Sequence, residues 1–416
     1  MGNRKIFIQI ASYRDPQLLP TLRDCIEKAS KPEKLVFSIA WQHSKEDEWD
    51  NLDEFKNDKR FKIVDIDYKD SKGACWARNQ LQQNYKNEEY TFQLDSHHRF
   101  VENWDEELIK MVKQLQKKGH KKPLLTAYVS SFDPDNDPSA RVTQPWKMNF
   151  DRFIPEGAVF FLPATIDDHK ERTEPVPARF YSAHFAFTLG QFAVEVQHDP
   201  EYYFHGEEIS IAVRAYTHGY DLFHPHKVLV WHEYTRKGRT KQWDDDKEWV
   251  TKNVNSHQRN RKLFEMDGLV NDIDFGKYGF GTERTLEDYE RFAGLSFKKR
   301  AVQQYTVSNN YPPNPPLYGD EFENSFLRIF KHCIDISFDK IPLDDYEFLV
   351  VAFHNEKEET VFRKDADVEE IKRIKNDSDG YGKIWREFEA EKKPFYWVVW
   401  PYSTSKGWCE RVIGHL

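Results

Sequence analysis

The sequence predicts an α/β domain with a largely parallel, Rossmann-like sheet, followed by a smaller, mostly β domain. Over residues 1–304, strand-like apolar runs alternate with amphipathic helical stretches, the pattern of consecutive βα units. The proline-rich segment Tyr311–Pro316 cannot sustain a helix or a central strand, and we interpret residues 305–318 as a linker. Residues 319–416 read mainly as strands and form the second predicted domain.

Hydrophobic periodicity justifies each element in turn. Short apolar runs bounded by polar residues predict first-domain strands at Lys5–Ala11, Lys34–Gln42, Phe61–Tyr68, Tyr90–Leu94, Leu124–Ser130, Arg179–Phe192 and Leu222–Trp231. Amphipathic stretches predict helices at Leu18–Ala29, Glu46–Phe55, Ala74–Tyr85, Trp104–Lys117, Glu207–His218, Lys247–Met266 and Leu286–Ala293. The second domain is predicted to have one helix, Val368–Ile374, and strands at Leu327–Phe338, Tyr346–Phe353, Thr360–Arg363 and Phe395–Tyr402.

Composition limits the class of protein. The chain has 416 residues, 39% of them hydrophobic, which is enough for two domains with sizeable cores. Its net charge of -9 argues against nucleic acid as a partner, because phosphate contacts need concentrated Lys and Arg. No apolar run approaches ~18 residues and no signal-peptide pattern follows Met1, so we expect no membrane span. Four scattered cysteines are predicted to be free thiols, and we expect a cytoplasmic protein.

The strongest chemical signal lies at predicted strand ends. Asp95 and His97 follow the strand Tyr90–Leu94, and His232 follows the strand Leu222–Trp231. Ligands bind at the carboxyl ends of strands in open α/β sheets. If the two strands are neighbours, one carboxylate and two imidazoles can converge on a divalent cation and leave positions open for a ligand. For an Asp-x-His triplet alone, a strand-end cap beside a solvated histidine is the simpler interpretation.

Basic residues extend this hypothesis to a diphosphate ligand. Arg78 lies on a predicted helix, and Arg236 and Lys237 follow His232 closely. A cation and guanidinium groups together offset the charge of a diphosphate. When the diphosphate leaves a sugar, its charge grows, so these groups stabilise the transition state more than the ground state. An ordinary solvated basic loop at residues 236–239 is the alternative.

Several motifs occur together in an order that resembles one family. They are Ile10–Asp15, Trp41-Gln42, Trp76–Arg78, Leu94–His97 with Arg99-Phe100, Asn103–Asp105, Tyr278–Thr282 and Leu286–Tyr289. As a set they resemble the hydroxyproline N-acetylglucosaminyltransferases that modify an adaptor of ubiquitin ligases. The resemblance covers residues 5–295.

More distantly, the sequence is similar to the mucin-type polypeptide N-acetylgalactosaminyltransferases, which have a GT-A fold and an Asp-x-His metal motif. In those enzymes a Gly-Glu pair opens a helix, and a third metal-binding histidine follows the glutamate by 25 residues. Glu207 and His232 have that spacing. The chain departs from the mucin-type pattern at His205 and Trp231, where those enzymes have glycine. The departures concern contacts to the donor sugar more than the metal site.

The resemblance implies a GT-A domain that transfers N-acetylglucosamine from UDP-GlcNAc with retention, using Mn²⁺ or Mg²⁺. The acceptor would be a protein hydroxyproline or, alternatively, a glycan. The nucleotide would contact Ser12, Tyr13, Arg14 and Arg78, the donor sugar Ser182, Ala183 and Glu207, and the diphosphate Arg236 and Lys237. No covalent nucleophile is evident. Glu207 and Glu208 open a predicted helix, where the helix dipole explains one carboxylate but not two. The candidate catalytic residues are Glu207, Glu208 and Arg236.

Two other classes fit part of the sequence. An iron- and 2-oxoglutarate-dependent oxygenase also uses two histidines and a carboxylate, although such enzymes usually present His-x-Asp on an antiparallel β scaffold. A non-catalytic carbohydrate-binding protein is the second alternative. Its candidate contacts, which otherwise fill a small β core, are Trp397, Trp400, Tyr402 and Trp408.

Overall fold

The structure is a computed structural model that describes residues 4–376 and 380–416. The chain forms two compact units. The first comprises the described chain up to Lys298 together with Tyr305–Leu317, and the second comprises Lys299–Gln304 and Tyr318–Leu416. Most of the second unit thus begins one residue before the second domain predicted from residue 319, and the unit also includes Lys299–Gln304, which were predicted to belong to the first domain. Residues 305–317, by contrast, group with the first unit and do not form a separate linker.

Hydrogen bonds explain why this proline-rich segment belongs to the first unit. Arg179 donates to the side chain of Asn314 at 2.6 Å and to the carbonyl oxygen of Asn310 at 2.5 Å. Thr306 donates to the carbonyl oxygen of Ala293 at 2.7 Å. The prolines prevent regular structure, but bonds to buried groups fix the irregular backbone.

The first unit contains most of the helices. Its strands are β1 Ile6–Tyr13, β2 Leu35–His43, β3 Phe61–Asp67, β4 Tyr90–Asp95, β5 His98–Phe100, β6 Lys122–Thr126, β7 Trp146–Phe153, β8 Val159–Thr165, β9 Val176–Pro177, β10 Phe185–Leu189, β11 Tyr220–His224, β12 Val230–His232 and β13 Leu295–Ser296. Its helices are α1 Leu18–Glu27, α2 Ala74–Gln82, α3 Trp104–Lys117, α4 Phe192–Glu195, α5 Glu207–Thr217, α6 Gln242–Asp245, α7 Trp249–Leu263 and α8 Leu286–Ala293; α9 Gln304–Val307 lies at the boundary between the units.

Eight strands form the main sheet, in the order β3-β2-β1-β4-β10-β6-β11-β9. Only β9 and β10 run antiparallel to the others. The central strands are buried on both faces: one face carries apolar residues such as Ile8, Phe37 and Phe92, and the other carries buried polar residues such as Gln9 and Thr91. This topology confirms the α/β, largely parallel prediction.

Two predicted first-unit elements differ in kind from those observed, and the strands β7 and β8 were not predicted. The predicted helix Glu46–Phe55 is wrong: only a 3-10 turn at Asp53–Phe55 forms. Side chains satisfy the backbone locally here, since Asn51 Oδ1 accepts from the amide of Asp53 at 2.7 Å, and this competes with a helix. The predicted strand Leu222–Trp231 is two strands, β11 and β12, with Pro225 between them.

The second unit is mostly β, as predicted. Its strands are β14 Ala301–Gln303, β15 Phe326–Leu327, β16 Ile329–Ser337, β17 Tyr346–His354, β18 Thr360–Arg363, β19 Tyr381–Glu389, β20 Tyr396–Ser403, β21 Gly407–Trp408 and β22 Val412–His415, and its helices are α10 Gly319–Asn324 and α11 Val368–Lys375. β16 pairs with β19, while β17 and β20 pair at the centre of a second sheet with β18, β21 and β22.

The aromatic residues of this unit divide between two environments. Trp397 packs against the unit's apolar core. Trp400 and Trp408 contact each other with ring centroids 4.1 Å apart, and Trp408 is 49% exposed. Within the described chain, no helix has both the length and the apolar composition that crossing a membrane requires.

Candidate metal and nucleotide site

The three predicted metal ligands converge. Asp95 ends β4, His97 follows in the turn to β5, and His232 ends β12. β12 pairs antiparallel with β5 and places His232 opposite His98, which brings it beside His97. Nε2 of His232 lies 3.5 Å and Nε2 of His97 lies 3.8 Å from Oδ2 of Asp95. One ligand atom from each residue thus falls within 4.8 Å of the other two.

This ligand set fits a divalent cation. An ion held about 2.1 Å from each ligand needs ligand atoms roughly 3–4 Å apart. Neither ring nitrogen of His232 has a hydrogen-bond partner among the described residues. Burial lowers the pKa of His232 well below its ordinary value, so the imidazole is neutral and keeps a lone pair for a metal.

Asp15 fixes the orientation of His97. Its Oδ2 lies 2.7 Å from Nδ1 of His97 and also accepts from Ser96 Oγ at 2.6 Å. We assign the hydrogen to Nδ1 from this contact, which leaves the lone pair of Nε2 on the side of Asp95. Burial acts to raise the pKa of Asp15, but His97 and Arg239 outweigh it and lower the pKa to about 2. Asp15 is therefore a carboxylate that can hold a ligand histidine.

Arg78 connects the metal ligands to the pocket. Its Nη2 donates to Oδ1 of Asp95 at 2.8 Å, and its Nη1 lies 3.7 Å from Oε1 of Glu207. Burial acts to raise the pKa of Asp95, but the neighbouring histidines and Arg78 lower it well below its ordinary value. Within the described chain, Nε and Nη1 of Arg78 lack hydrogen-bond partners although the residue is buried. Two N–H donors are thus available to an anionic ligand.

A pocket at the carboxyl ends of β1 and β4 surrounds these groups. Aromatic side chains form much of its wall, namely Tyr13, Tyr203, Phe204, Tyr234 and Trp243. Four positively charged residues contribute to it, namely Arg78, Arg236, Arg239 and Lys241. A concave site with aromatic walls and convergent cations suits a base or sugar joined to a phosphate.

The start of α2 forms one wall of the pocket and requires glycine. Gly73 has a φ of 106°, and a Cβ added there would lie 2.7 Å from the ring and the carbonyl oxygen of Tyr203. The next amide, that of Ala74, donates to that carbonyl oxygen at 3.2 Å. This close approach fixes α2 against the loop before α5 and so positions Arg78.

Glu207 and Glu208 lie behind Arg78 at the start of α5. Glu208 accepts from Tyr128 Oη at 2.8 Å and from the amide of Ala183 at 2.9 Å. Burial raises the pKa of both carboxyls, and the charge of Glu208 adds to the effect on Glu207. The pair is more than a helix cap, since Glu208 binds two groups from other elements.

The remaining predicted contacts occupy different places. Tyr13 and Arg236 line the pocket, and Arg236 packs 5.2 Å from the ring of Trp243. Lys237 points away, in an exposed ion pair with Asp135. The guanidinium of Arg14 is engaged by Asp47 and Asp245. Ser12, Ser182 and Ala183 are buried outside the pocket lining.

Sequence reasoning missed two residues at the centre of the site. Asp15 lies in a quoted motif but was not predicted to support a ligand, and Arg239 ends the basic segment from which only Arg236 and Lys237 were selected. Arg239 Nη1 lies 3.1 Å from Oδ2 of Asp15. A partner 224 residues away leaves no local signal in the sequence.

Fold and site together define an α/β protein with a divalent-cation ligand set beside a cationic pocket. The family follows from comparison with known proteins. The family model described as "Glycosyltransferase (GlcNAc)" matches residues 5–60 and 49–299. The match covers more than half of the chain, and the protein belongs to this glycosyltransferase family. The observed sheets confirm the predicted α/β domain followed by a mostly β unit.

Solved structures show more distant similarity. GalNAc-T7, crystallised with UDP, GalNAc and Mn²⁺, is 14% identical with a TM-score of 0.45, and the match covers 63% of this chain and 49% of that one. S. aureus TarS is 8% identical with a TM-score of 0.38, over 99% of this chain and 77% of TarS. TarS residues 1–349 in complex with UDP-GlcNAc are 10% identical with a TM-score of 0.36, over 58% and 61% of the two chains.

The chain thus spans about half the length of GalNAc-T7. No curated protein sequence matches it. The oxygenase alternative fits neither the family nor the mostly parallel sheet whose strand β4 ends in Asp95.

Proposed function

We propose that this protein is a divalent-metal-dependent, retaining glycosyltransferase that moves N-acetylglucosamine from UDP-GlcNAc to a hydroxyl group. The observation that carries the proposal is the convergence of Asp95, His97 and His232 beside the unpartnered donors of Arg78. The family described by GlcNAc transfer supports the reaction class and the sugar. The other arguments come from the chemistry of the pocket.

The leaving group is UDP, and the pocket is arranged to accept its charge. Asp95, His97 and His232 would hold a divalent cation there, and it would supply positive charge to the diphosphate oxygens. Arg78 donates to the same group, and its guanidinium is held in place by Asp95. Because these donors are fixed before the reaction, they stabilise the charge that grows as the bond to the sugar breaks. The aromatic walls exclude water from the departing diphosphate.

In the transfer itself, the bond between the anomeric carbon and the diphosphate oxygen breaks, and the electron pair leaves with UDP. The acceptor oxygen then bonds to the anomeric carbon on the same face, and its proton passes to the departing diphosphate oxygen. Glu207 and Glu208 have raised pKa values, which suits groups that exchange a proton near neutral pH. We assign them to orienting the donor sugar or the acceptor, with Glu208 held by Tyr128.

For the acceptor, we propose a protein hydroxyproline, on the basis of the motifs quoted above, with a glycan hydroxyl as the alternative. Both acceptors present a secondary alcohol beside a ring, and both suit a pocket with aromatic walls. The four cysteines are free, which fits the cytoplasmic location predicted from the sequence.

The experiment is a screen of nucleotide sugars for hydrolysis with Mn²⁺, followed by acceptors offered to the best donor. We expect UDP-GlcNAc to be hydrolysed, EDTA to stop the reaction and Mn²⁺ to restore it. Asp95→Ala should lose activity while the protein keeps its far-ultraviolet circular dichroism. Hydrolysis that persists in Asp95→Ala with EDTA present would refute the metal-dependent mechanism.

A further inference from the structure

His232 differs from the other candidate metal-binding histidine in how its ring is held. Oδ2 of Asp15 lies 2.7 Å from Nδ1 of His97 and orients that ring, whereas within the described chain neither ring nitrogen of His232 has a hydrogen-bond partner. The backbone of His232 is fixed, since its amide donates to the carbonyl oxygen of Ser130 at 3.0 Å, but this bond leaves the side chain free to rotate. A ligand histidine is normally oriented by a hydrogen bond from its second nitrogen, so the orientation of this ring needs another contact.

The buried ring of His184 provides that contact. It lies nearly parallel to the ring of His232, at 20°, with the ring centroids 4.2 Å apart. Other rings that contact His232 cross its plane at 54°, 57° and 68°; they belong to His97, His98 and Tyr234. A parallel neighbour at this separation limits the tilt of the ring, because tilting would bring atoms of the two rings too close together.

His184 is itself held in place by neighbouring groups. The amide of Val129 donates to its Nε2 at 3.2 Å. The ring also stacks with that of Tyr128, with centroids 5.2 Å apart, and Tyr128 is held by its bond to Glu208. Because an amide donates to Nε2, we assign no hydrogen to that nitrogen and a neutral ring to His184. A neutral ring can stay against an imidazole that binds a cation, since no like charges face each other.

The place of His184 in the fold explains why the stack matters. His184 immediately precedes β10, whose first residue, Phe185, pairs with Leu94 beside Asp95. The ring is therefore attached to the main sheet, as Asp95 is, whereas His232 belongs to the ribbon of β5 and β12. The stack is a direct side-chain contact between the part of the fold that carries Asp95 and the part that carries His232.

We propose that His184 is a positioning residue, which orients His232 for metal binding by stacking where a hydrogen bond would otherwise do so. The inference rests on the proposed function, since it takes the metal site as given. Among the described residues, the converging ligand atoms are those of Asp95, His97 and His232. His184 thus acts on the cation only through the ring of His232.

The first test compares His184→Leu with a matched control, His224→Leu. Both histidines are buried and accept a backbone amide at Nε2, from Val129 at 3.2 Å and from Met148 at 3.3 Å, so the two variants lose the same kind of bond. Mn²⁺ affinity is measured by electron paramagnetic resonance on chelator-treated full-length protein without nucleotide. We expect His184→Leu to bind Mn²⁺ roughly tenfold more weakly, as for other residues that orient a ligand histidine, and His224→Leu to stay within about twofold of the unchanged protein. Equal losses in the two variants would overturn the proposal.

His184→Phe separates stacking from hydrogen bonding. It keeps a flat ring beside His232 but has no nitrogen to accept the amide of Val129. We expect it to bind Mn²⁺ within about threefold of the unchanged protein, because a stacked pair needs only the face of the ring. If it binds as weakly as His184→Leu, stacking does not orient His232 and the proposal fails.

A spectroscopic measurement reports on the ring of His232 itself. Electron spin-echo modulation from ¹⁴N detects imidazoles bound to Mn²⁺, and at saturating Mn²⁺ the unchanged protein and His224→Leu should both show the couplings of His97 and His232. In His184→Leu one of these couplings should weaken or spread, because the ring of His232 no longer has a single orientation. Couplings that stay unchanged in His184→Leu would rule out a positioning role, even if the affinity had fallen.

Asp95→Asn distinguishes failure of this inference from failure of the proposed function. If Asp95→Asn loses Mn²⁺ binding but His184→Leu binds Mn²⁺ like the unchanged protein, the positioning role is refuted and the metal site stands. If Asp95→Asn leaves Mn²⁺ binding intact, the metal lies elsewhere and the proposed function fails with it.

Discussion

Arg78 in the first unit and Arg386 in the second are buried to the same degree, each 4% exposed, but their hydrogen-bond donors are used differently. Arg386 donates to both oxygens of Glu370 and to the carbonyl oxygens of Lys364 and Trp385. Arg78 donates once, to Asp95, and keeps two N–H groups without partners in the described chain. Arg386 stabilises a fold, whereas Arg78 is held ready for a ligand.

The comparison teaches that burial alone does not distinguish a structural charge from a functional one. A buried donor without a partner costs roughly 1–3 kcal/mol, and a protein keeps it only where something else accepts the bond. In the first unit such donors and acceptors gather around Asp95, where a metal and a diphosphate would satisfy them. The predictions below test this difference between the units, in order of decreasing effect.

The largest effect should come from the metal ligands. We expect His232→Ala to lower donor hydrolysis by ~100-fold or more, because the cation carries much of the charge stabilisation of the leaving group. His354→Ala, which removes a histidine from β17 of the second unit, is the matched control. Initial rates with saturating Mn²⁺ and calorimetric Mn²⁺ affinity measure both. Equal losses in the two variants would contradict the assignment of the site to the first unit.

Exchange of each buried arginine for lysine tests the comparison itself. Arg78→Lys keeps the charge beside Asp95 but removes the free donors, so UDP affinity should fall about 10–100-fold with little change in unfolding. Arg386→Lys should leave UDP affinity unchanged and lower the free energy of unfolding by about 1.5–3 kcal/mol, because Glu370 loses its paired partner. Urea unfolding and UDP titration distinguish the two. A loss of stability in both variants, with no loss of UDP affinity in either, would contradict the difference between the two arginines.

A smaller effect separates two neighbouring basic residues. Arg236→Met should weaken UDP binding by roughly tenfold, because Arg236 lines the pocket beside Trp243. Lys237→Met should change it by less than about twofold, because Lys237 pairs with Asp135 at the surface. Calorimetric titration of UDP in the presence of Mn²⁺ is the measurement. A stronger loss in Lys237→Met would reverse this assignment.

The smallest expected effect is a pH dependence of stability. It distinguishes the glutamates at the start of α5 from a glutamate at the start of α11. Folding raises the pKa of Glu207 and Glu208 above the ordinary 4.5, so the folded protein binds more protons than the unfolded chain from that pH through neutrality. Their contribution to stability is full at low pH and is lost as pH rises through the raised values.

The buried histidines add a slope of the opposite sign, which is the same in the unchanged protein and in a variant that alters only the glutamates. Between about pH 7 and pH 8, the Tm of the Glu207→Gln, Glu208→Gln double variant should therefore gain roughly 2–4 °C on that of the unchanged protein. Glu369→Gln, at the exposed start of α11, should not. Differential scanning fluorimetry across this range tests it, and an unchanged slope in the double variant would show that the two carboxyls titrate normally.

Much of the fold, and the strand-end positions of the three candidate metal ligands, could be predicted from the sequence for a physical reason. Apolar runs ending in polar residues indicated strands whose ends carry Asp95, His97 and His232, and the structure brings these three together. What the sequence could not show is pairing between distant segments. The sequence pattern predicted one continuous strand at Leu222–Trp231. In the structure the strand ends before Pro225, and β12 pairs with β5 and not with the main sheet.

The basic loop at residues 236–239 is a second example of what the sequence pattern could not predict. Arg236 and Gly238 adopt left-handed conformations, with φ of 56° and 70°, so the backbone reverses within four residues. Lys237 consequently points to the surface while Arg239 reaches His97. Composition identified the segment as basic, but side-chain direction depends on these dihedral angles, which the sequence pattern does not encode.

The ribbon formed by β5 and β12 has one further consequence. His97 immediately precedes β5 and His232 ends β12, so both imidazoles are attached to one small hydrogen-bonded unit and not to separate strands of the large sheet. The spacing of the two imidazoles is therefore set by the pairing of β5 with β12, and Asp95, at the end of β4, is the one member of the trio whose position depends on the main sheet.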